Sequence, residues 1–401
     1  MLDRHALNYV NGMEQEALEL LKELAQIPAP SGKEERRAVF CRDWLTAHGA
    51  KGVFIDDALN VVYPVGVEET NPVVVFAAHT DVVFPDEEPL PLTEEDGVIR
   101  CPGVGDDTAC VVALLTAARY VAEQKIRPQG AGLLFVCNSG EEGLGNLKGT
   151  RQICKDYEGR IQAFISFDCK LDEFVHRAVG SQRYRLRVRT KGGHSYYAFG
   201  EKNAIAELAG IIGRLYGIEV PQGGKTTFNV GTISGGTSVN TIAQEAEALY
   251  EFRSDCREDL EIMEKAFRKV MEEAAQREGV QVEYEVVGIR PCAGGGDPER
   301  QKMLEHRALW AVYRTLGYFP KPRKASTDCN IPMSLGIPSV CVGSFMGGGA
   351  HTRQEYLRAD SLKSGLGIAL DLALGYCRDD DGEEVWSLLR TEDEGTSEAE
   401  A

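Results

Sequence analysis

Seven residues of this chain carry groups suited to metal-assisted hydrolysis: His79, Asp81, Asp106, Glu141, Glu142, Asp168 and His351. His79 and Asp81 close the run Val73-Val-Val-Phe-Ala-Ala-His79-Thr-Asp81, whose apolar part suits a strand buried on both faces. Residues two apart on a strand point to the same side. His79 can therefore hold a metal through one ring nitrogen while Asp81 fixes the ring, as metal-bound histidines usually require. Alone, the tripeptide reads as a core histidine beside a strand-end aspartate. The other carboxylates change that reading. Asp106 follows Gly103 and Gly105, and Glu141-Glu142 lies between Gly140 and Gly143; glycine turns let a backbone approach a bound ion closely. Asp168 follows the apolar run 161–167, and His351 follows Gly347-Gly-Gly-Ala. Imidazole and carboxylate ligands without thiolates suit zinc, and also manganese or cobalt. His79, Asp106, Glu142, Asp168 and His351 are too many for one tetrahedral ion. They fit two ions about 3.5–4 Å apart that share a carboxylate. Adjacent glutamates on an extended chain point in different directions. One can bind metal while the other takes a proton from a water whose pKa the metal brings toward ~7. We assign Glu141 as that base and Glu142 as the ligand; the residues alone also permit the reverse.

The elements that position these groups alternate. Apolar spacing predicts a helix over 14–25, and the Ser31…Glu34 capping-box pattern opens a second helix running to about residue 46. Strands are expected at 53–56, 61–63, 73–79, 133–137 and 161–167, with helices at 111–121 and 147–157 and a loop over 85–93. This is an α/β chain with a mostly parallel, helix-covered sheet. Three of its strands end at candidate ligands, where open α/β sheets bind theirs. Beyond residue 181 the rhythm changes to strand 184–189, helix 203–215, strands 226–234 and 247–253, helix 259–277 and strand 282–287. That order, βαββαβ, is ferredoxin-like. The expected layout is a domain over 1–180 that carries most of the candidate ligands, a separate domain inserted over 181–290, and the first domain again over 291–390. In that last part a helix at 299–316, a strand at 338–342 and a helix at 361–376 are expected. Residues 391–401 form an acidic tail, expected to be disordered. Arg183, Arg185, Arg187 and Arg189 alternate on one strand. A solvated edge strand protected by charge is the expected reading; the rival is a face that meets an acidic surface, such as a second subunit.

Composition narrows the partners. The 401 residues carry a formal net charge of −18, which disfavours nucleic acid and anionic membrane. No apolar run approaches the ~20 residues of a membrane span, and the first residues do not read as a signal peptide. The 11 cysteines are scattered without a Cys-x-x-Cys pair, which points to a reducing cytoplasm with neither disulfides nor a thiolate zinc site. His5, His48, His176 and His306 read as structural. No phosphate-binding Gly-x-x-x-x-Gly-Lys run is present.

The chain resembles the co-catalytic di-zinc peptidase and amidohydrolase superfamily that includes peptidase T, carboxypeptidase G, aminoacylase and succinyl-diaminopimelate desuccinylase. The matching pieces are His79-Thr-Asp81, Gly103-Val-Gly-Asp-Asp107, Glu141-Glu142, Phe167-Asp168, Gly192-Gly-His194, Gly235-Gly-Thr-Ser-Val-Asn240, Ser326-Thr-Asp328 and His351-Thr-Arg-Gln-Glu355. They stand in the family's order, and the ending around His351 is similar to the peptidase T-like branch. The resemblance implies that His79 and Asp168 bind one zinc, Glu142 and His351 the other, and that Asp106 bridges them in a turn whose Asp106–Asp107 peptide is usually cis. It implies that Asp81 orients His79 and that Glu141 is the general base. The resemblance makes 181–290 a lid or dimerisation domain beside the catalytic one: His194 would polarise the scissile carbonyl, often across a dimer interface, and Asn240 and Arg253 would hold substrate, commonly its carboxylate. Thr108-Ala109 replaces the family's frequent Lys-Gly, which removes no ligand. The implied activity is that of a cytoplasmic, homodimeric exopeptidase holding two zinc ions (cobalt or manganese as substitutes) and cutting short peptides, most readily from the amino end. An N-acyl-amino-acid amidohydrolase is the alternative.

Overall fold

The computed structural model describes residues 2–377. The expected tail at 391–401, and the part of the 291–390 segment beyond residue 377, lie outside the described residues. Two compact units are present. Of the described residues, the first comprises those up to His176, Gly296–Arg323 and those from Ile337 on; the second comprises Arg177–Gly295 and Lys324–Gly336.

The first unit is built on a sheet whose strands lie in the order Phe54–Ile55, Val61–Val65, Gly132–Asn138, Val73–His79, Ile161–Phe167, Ser339–Val342, followed by Glu173–Ala178 and Lys321–Ala325, of which residues 173–176 and 321–323 fall in this unit. Its centre is parallel: Val73–His79 runs between Gly132–Asn138 and Ile161–Phe167, and Ser339–Val342 continues beyond. All seven residues of Val73–His79 and of Gly132–Asn138 are buried, which explains why both read as unbroken apolar runs. Phe76 lies opposite Phe135, their rings 5.6 Å apart, and Phe167 stacks on Phe76 at 6.4 Å. This aromatic row pins the register of three strands. A slip of one residue would turn His79 to the other face of the sheet. Helix Cys110–Glu123 is buried along most of its length and packs on Val73–His79; helix Leu362–Leu374 packs against it. A smaller sheet of Thr93–Glu95, Val98–Arg100, Gly347–Gly348 and Tyr356–Arg358 was not expected from sequence. Its strands are two or three residues long, too short for any periodicity to register.

One local expectation is corrected. Ser31 does not cap helix Glu35–Ala47, whose N-cap residue Glu34 makes no side-chain cap. The Ser31 hydroxyl donates instead to Asp81 Oδ2 at 2.6 Å. Glu34, wholly buried, accepts the Gly32 N–H at 2.8 Å and the Lys148 ammonium at 3.0 Å.

In the second unit four antiparallel strands lie in the order Thr226–Gly235, Glu245–Ser254, Gly180–Thr190, Val280–Arg290. That is the ferredoxin-like order. Helices Ala204–Tyr216 and Arg257–Ala275 cover one face, where Tyr184, Leu186 and Val188 are buried and Tyr184 stacks on Phe267 at 4.0 Å. The unit is wider than residues 181–290. Asn330 in 324–336 donates to the carbonyls of Val179 and Pro291 at 2.8 and 2.9 Å, binding that segment to it.

The arginine strand is not an edge. Gly180–Thr190 lies between two neighbours, and its arginines meet rows of glutamates on both. Arg185 reaches Glu247 and Glu285 at 3.4 and 3.0 Å, Arg187 reaches Glu245 and Glu247 at 3.4 and 2.8 Å, and Arg189 reaches Glu245 and Glu283 at 3.3 and 3.2 Å. Arg183 pairs with Glu251 at 3.3 Å. The acidic surface these arginines meet is their own sheet's.

Candidate metal centre

The centre forms where the parallel strands end. His79 is the last residue of its strand, Asp168 follows Phe167 directly, and Glu141-Glu142 follows Asn138 by a short turn. Asp106 and Asp107 lie in an irregular turn, residues 104–109, that feeds helix Cys110–Glu123. Both leave helical geometry there, and the peptide between them is cis.

Asp106 stands between two imidazoles. Its Oδ1 lies 3.2 Å from His79 Nε2 and its Oδ2 lies 3.1 Å from His351 Nε2. His351 Nε2 is also 3.0 Å from Glu142 Oε1. Potential ligand atoms fall into overlapping groups within 4.8 Å: His79, Asp106, Asp107 and Asp168; His79, Glu141 and Glu142; Asp106, Glu142 and His351. His79 is 1% exposed, and its buried Nε2 has no hydrogen-bond partner. Two donors on one tetrahedral zinc, each about 2.0–2.2 Å from the ion, stand roughly 3.3 Å apart. A buried, unpartnered imidazole nitrogen at about that distance from a carboxylate oxygen fits a metal. So does a carboxylate that shows one oxygen to each of two histidines.

The charges agree. Burial works against a charged His79, but Asp107, Asp106 and Asp81 outweigh it and raise its pKa well above the ordinary imidazole value. Asp106 and Glu142 push His351 up to about 11. Burial pushes Asp106 up, but the two imidazoles hold it well below the usual carboxylate range. Burial, helped by Asp168 and Asp106, drives Asp107 far above that range. So many carboxylates, most of them buried, call for cationic partners.

Around these groups a hydrogen-bonded frame is built. Asp81 is wholly buried and central to it. Its Oδ1 accepts the Glu141 N–H and its Oδ2 the Glu142 N–H, both at 2.9 Å, besides the Ser31 hydroxyl. His79 Nδ1 lies 3.0 Å from the Asp81 carbonyl oxygen and 3.4 Å from its carboxylate. Asp81 thus anchors the glutamate pair as well as facing the ring. Asp107 Oδ2 accepts the His79 backbone N–H at 2.9 Å. Arg37, 2% exposed, donates to the carbonyls of Ile27 and Thr80 at 2.7 and 2.9 Å and reaches Thr108 Oγ1 at 3.2 Å. Thr108, where the resembling proteins often carry lysine, is therefore tied to a buried arginine from another helix.

Sequence reasoning missed Ser31, Arg37 and Asp107 as parts of this frame, and with them Glu355, whose carboxylate accepts the N–H groups of Gly103, Gly105 and Asp106. Asp107, beside Asp106 in a glycine turn, and Glu355, at the end of the piece His351-Thr-Arg-Gln-Glu355, carried a signal but no role. The partners of Ser31 and Arg37 are distant in the chain or are backbone groups.

His194, Asn240 and Arg253 belong to the second unit. His194 and Asn240 are neighbours there. Both are exposed, and the Ser195 N–H donates to the Asn240 carbonyl at 2.9 Å. Arg253 lies apart from them on strand Glu245–Ser254, and its guanidinium is tied to Glu251 at 2.9 and 3.1 Å.

With this geometry established, likeness to known proteins becomes informative. Residues 75–374 match peptidase family M20/M25/M40. The chain belongs to that family. Succinyl-diaminopimelate desuccinylase of Bordetella parapertussis is 32% identical over 202 residues, 45% of this chain and 52% of that protein. The chain thus spans about half the length of the curated relatives it matches. Among solved structures, a tripeptidase of Staphylococcus aureus superposes with a TM-score of 0.72 at 24% identity, covering 90% of this chain and 97% of the other. Aminopeptidase PepT of Bacillus cereus superposes with a TM-score of 0.65 at 22% identity, covering 90% and 99%. At these identities the structural likeness establishes the family's α/β fold for this chain. Among the described residues no helix is long and apolar enough to cross a membrane, and all 11 cysteines are free thiols.

Proposed function

We propose that this chain is a two-metal exopeptidase that hydrolyses short peptides, cutting from the amino end. One observation carries the reading: Asp106 offers one oxygen to His79 and the other to His351. In this reading His79 and Asp168 hold one divalent ion, Glu142 and His351 the other, and Asp106 both. Two bound ions would supply Lewis acidity, polarising the scissile carbonyl and bringing a water's pKa toward ~7. Glu141 takes the proton of the attacking water and passes it to the leaving amine. The main-chain bond from Glu141 to Asp81 fixes where that carboxylate starts. His194, Asn240 and Arg253 are proposed as substrate contacts, and a homodimer formed through the second unit is proposed with them; resemblance alone supports both. Zinc is the proposed ion, with cobalt or manganese as substitutes. The free cysteines support a reducing, cytoplasmic setting. The tripeptidase and aminopeptidase likenesses support the choice of substrate.

The test is chelation. Chelator-treated protein should lose tripeptide hydrolysis and regain it with zinc, cobalt or manganese; full activity in metal-free protein would reject the reading. The desuccinylase likeness favours a second reading, an N-acyl-amino-acid amidohydrolase. Hydrolysis of N-succinyl or N-acetyl amino acids, with free tripeptides left intact, would select it.

A further inference from the structure

We propose that Glu355 is a positioning residue that sets the distance between Asp106 and His351. The inference rests on the two-metal reading above. Glu355 is 2% exposed, and its carboxylate faces backbone rather than another side chain. Its Oε2 accepts the Gly103 N–H at 2.6 Å, and its Oε1 accepts those of Gly105 and Asp106 at 2.9 and 2.8 Å. Successive N–H groups in a turn form a concave anion seat, and here a carboxylate of the same chain fills it. The turn passes too close to its neighbours to carry side chains at its two glycines. A Cβ at Gly103 would come within 2.5 Å of Val82, and one at Gly105 within 2.5 Å of Phe345.

Glu355 lies four residues after His351, in one loop. That loop returns through Tyr356–Arg358, which pairs with Val98–Arg100 just before the Asp106 turn. The Cys101 N–H donates to the Glu355 carbonyl at 3.3 Å as well. One short stretch therefore supplies His351 and grips the turn that presents Asp106. The 3.1 Å between His351 Nε2 and Asp106 Oδ2 is the outcome of that grip. Partners of this kind typically govern metal affinity about 10–100-fold.

The test uses the full chain, stripped of metal and titrated with cobalt(II), read by calorimetry and by visible absorption. Glu355→Gln puts an amide donor where the Gly103 N–H needs an acceptor. It should leave the far-ultraviolet circular dichroism of the metal-free protein unchanged. At least one cobalt ion should bind about 10–100-fold more weakly, with an altered ligand-field spectrum. Two ions bound with wild-type affinity and spectrum would overturn the inference. If Glu355→Gln does not fold, Glu355→Asp, which keeps the charge but shortens the reach, is measured the same way and should weaken binding too. Failure of both variants to fold would also overturn it, because the residue would then support the whole unit rather than one turn. Wild-type protein that takes up fewer than two ions would instead reject the two-metal reading on which the inference depends.

Discussion

Asp81→Asn is the perturbation that separates a frame around the metal centre from a merely packed core. The carboxylate accepts two backbone N–H groups and a hydroxyl, at 2.9, 2.9 and 2.6 Å. Asparagine keeps one oxygen, enough for the Glu141 N–H. Its amide nitrogen then faces the Glu142 N–H, and neither can accept. The Ser31 hydroxyl loses its acceptor at the same atom. A hydrogen bond to a charged group is worth about 1.5–3 kcal/mol. Part of that loss is recovered as the loop relaxes, leaving about 2–3 kcal/mol against the geometry that Glu141 and Glu142 need. That corresponds to a fall in kcat/KM of roughly 30- to 150-fold. The assay is initial-rate hydrolysis of a free tripeptide at saturating zinc, with bound metal counted on the same sample. Ser31→Ala removes one of the three contacts and should cost roughly three- to tenfold. A fall below about threefold for Asp81→Asn, with folded protein and full metal, would show that the frame does not act on the glutamates.

Two further outcomes concern stability. Arg37→Met removes a buried guanidinium, which burial already pulls down to about 10, and strands the carbonyls of Ile27 and Thr80. A loss of about 3 kcal/mol, or roughly 5–10 °C in melting temperature, is expected by calorimetry; a fall under about 2 °C would refute the assigned contacts. Asp255 pairs with Lys324 at 2.7 Å and accepts the Lys225 N–H at 2.8 Å; partial burial raises its pKa, but these partners hold it below the ordinary value. Its folded pKa is depressed, so its stabilisation is present above the unfolded value near ~4 and lost as pH falls through the folded one. The melting-temperature gap between wild type and Asp255→Asn should therefore be open at pH 6 and close toward pH 3. A gap independent of pH would contradict the ion pair.

The fold was legible where elements are long. The buried runs at 73–79 and 161–167 and the βαββαβ order reveal themselves through apolar period and length, because burial on one or two faces imposes those patterns. The strands Val98–Arg100 and Tyr356–Arg358 did not, since three residues carry no period. The arginine strand misled because alternating charge marks a wet face but does not say whether neighbours flank it. Ser31 misled for a related reason: its helix lies next door in sequence, while Asp81, fifty residues on, offers the stronger acceptor. In the centre itself, residues that point at a metal are chemically conspicuous. Those that hold backbone, such as Glu355 and Arg37, look like any other charge until the chain is folded around them.

The central claim is that Asp106 ties two ion sites together. Zinc retained per chain, measured with tripeptide hydrolysis in wild type and in Asp106→Ala, tests it most directly. Two zinc ions and turnover are predicted for wild type, and at most one ion without turnover for the variant. A variant that keeps two ions and hydrolyses peptide at the wild-type rate would contradict the account.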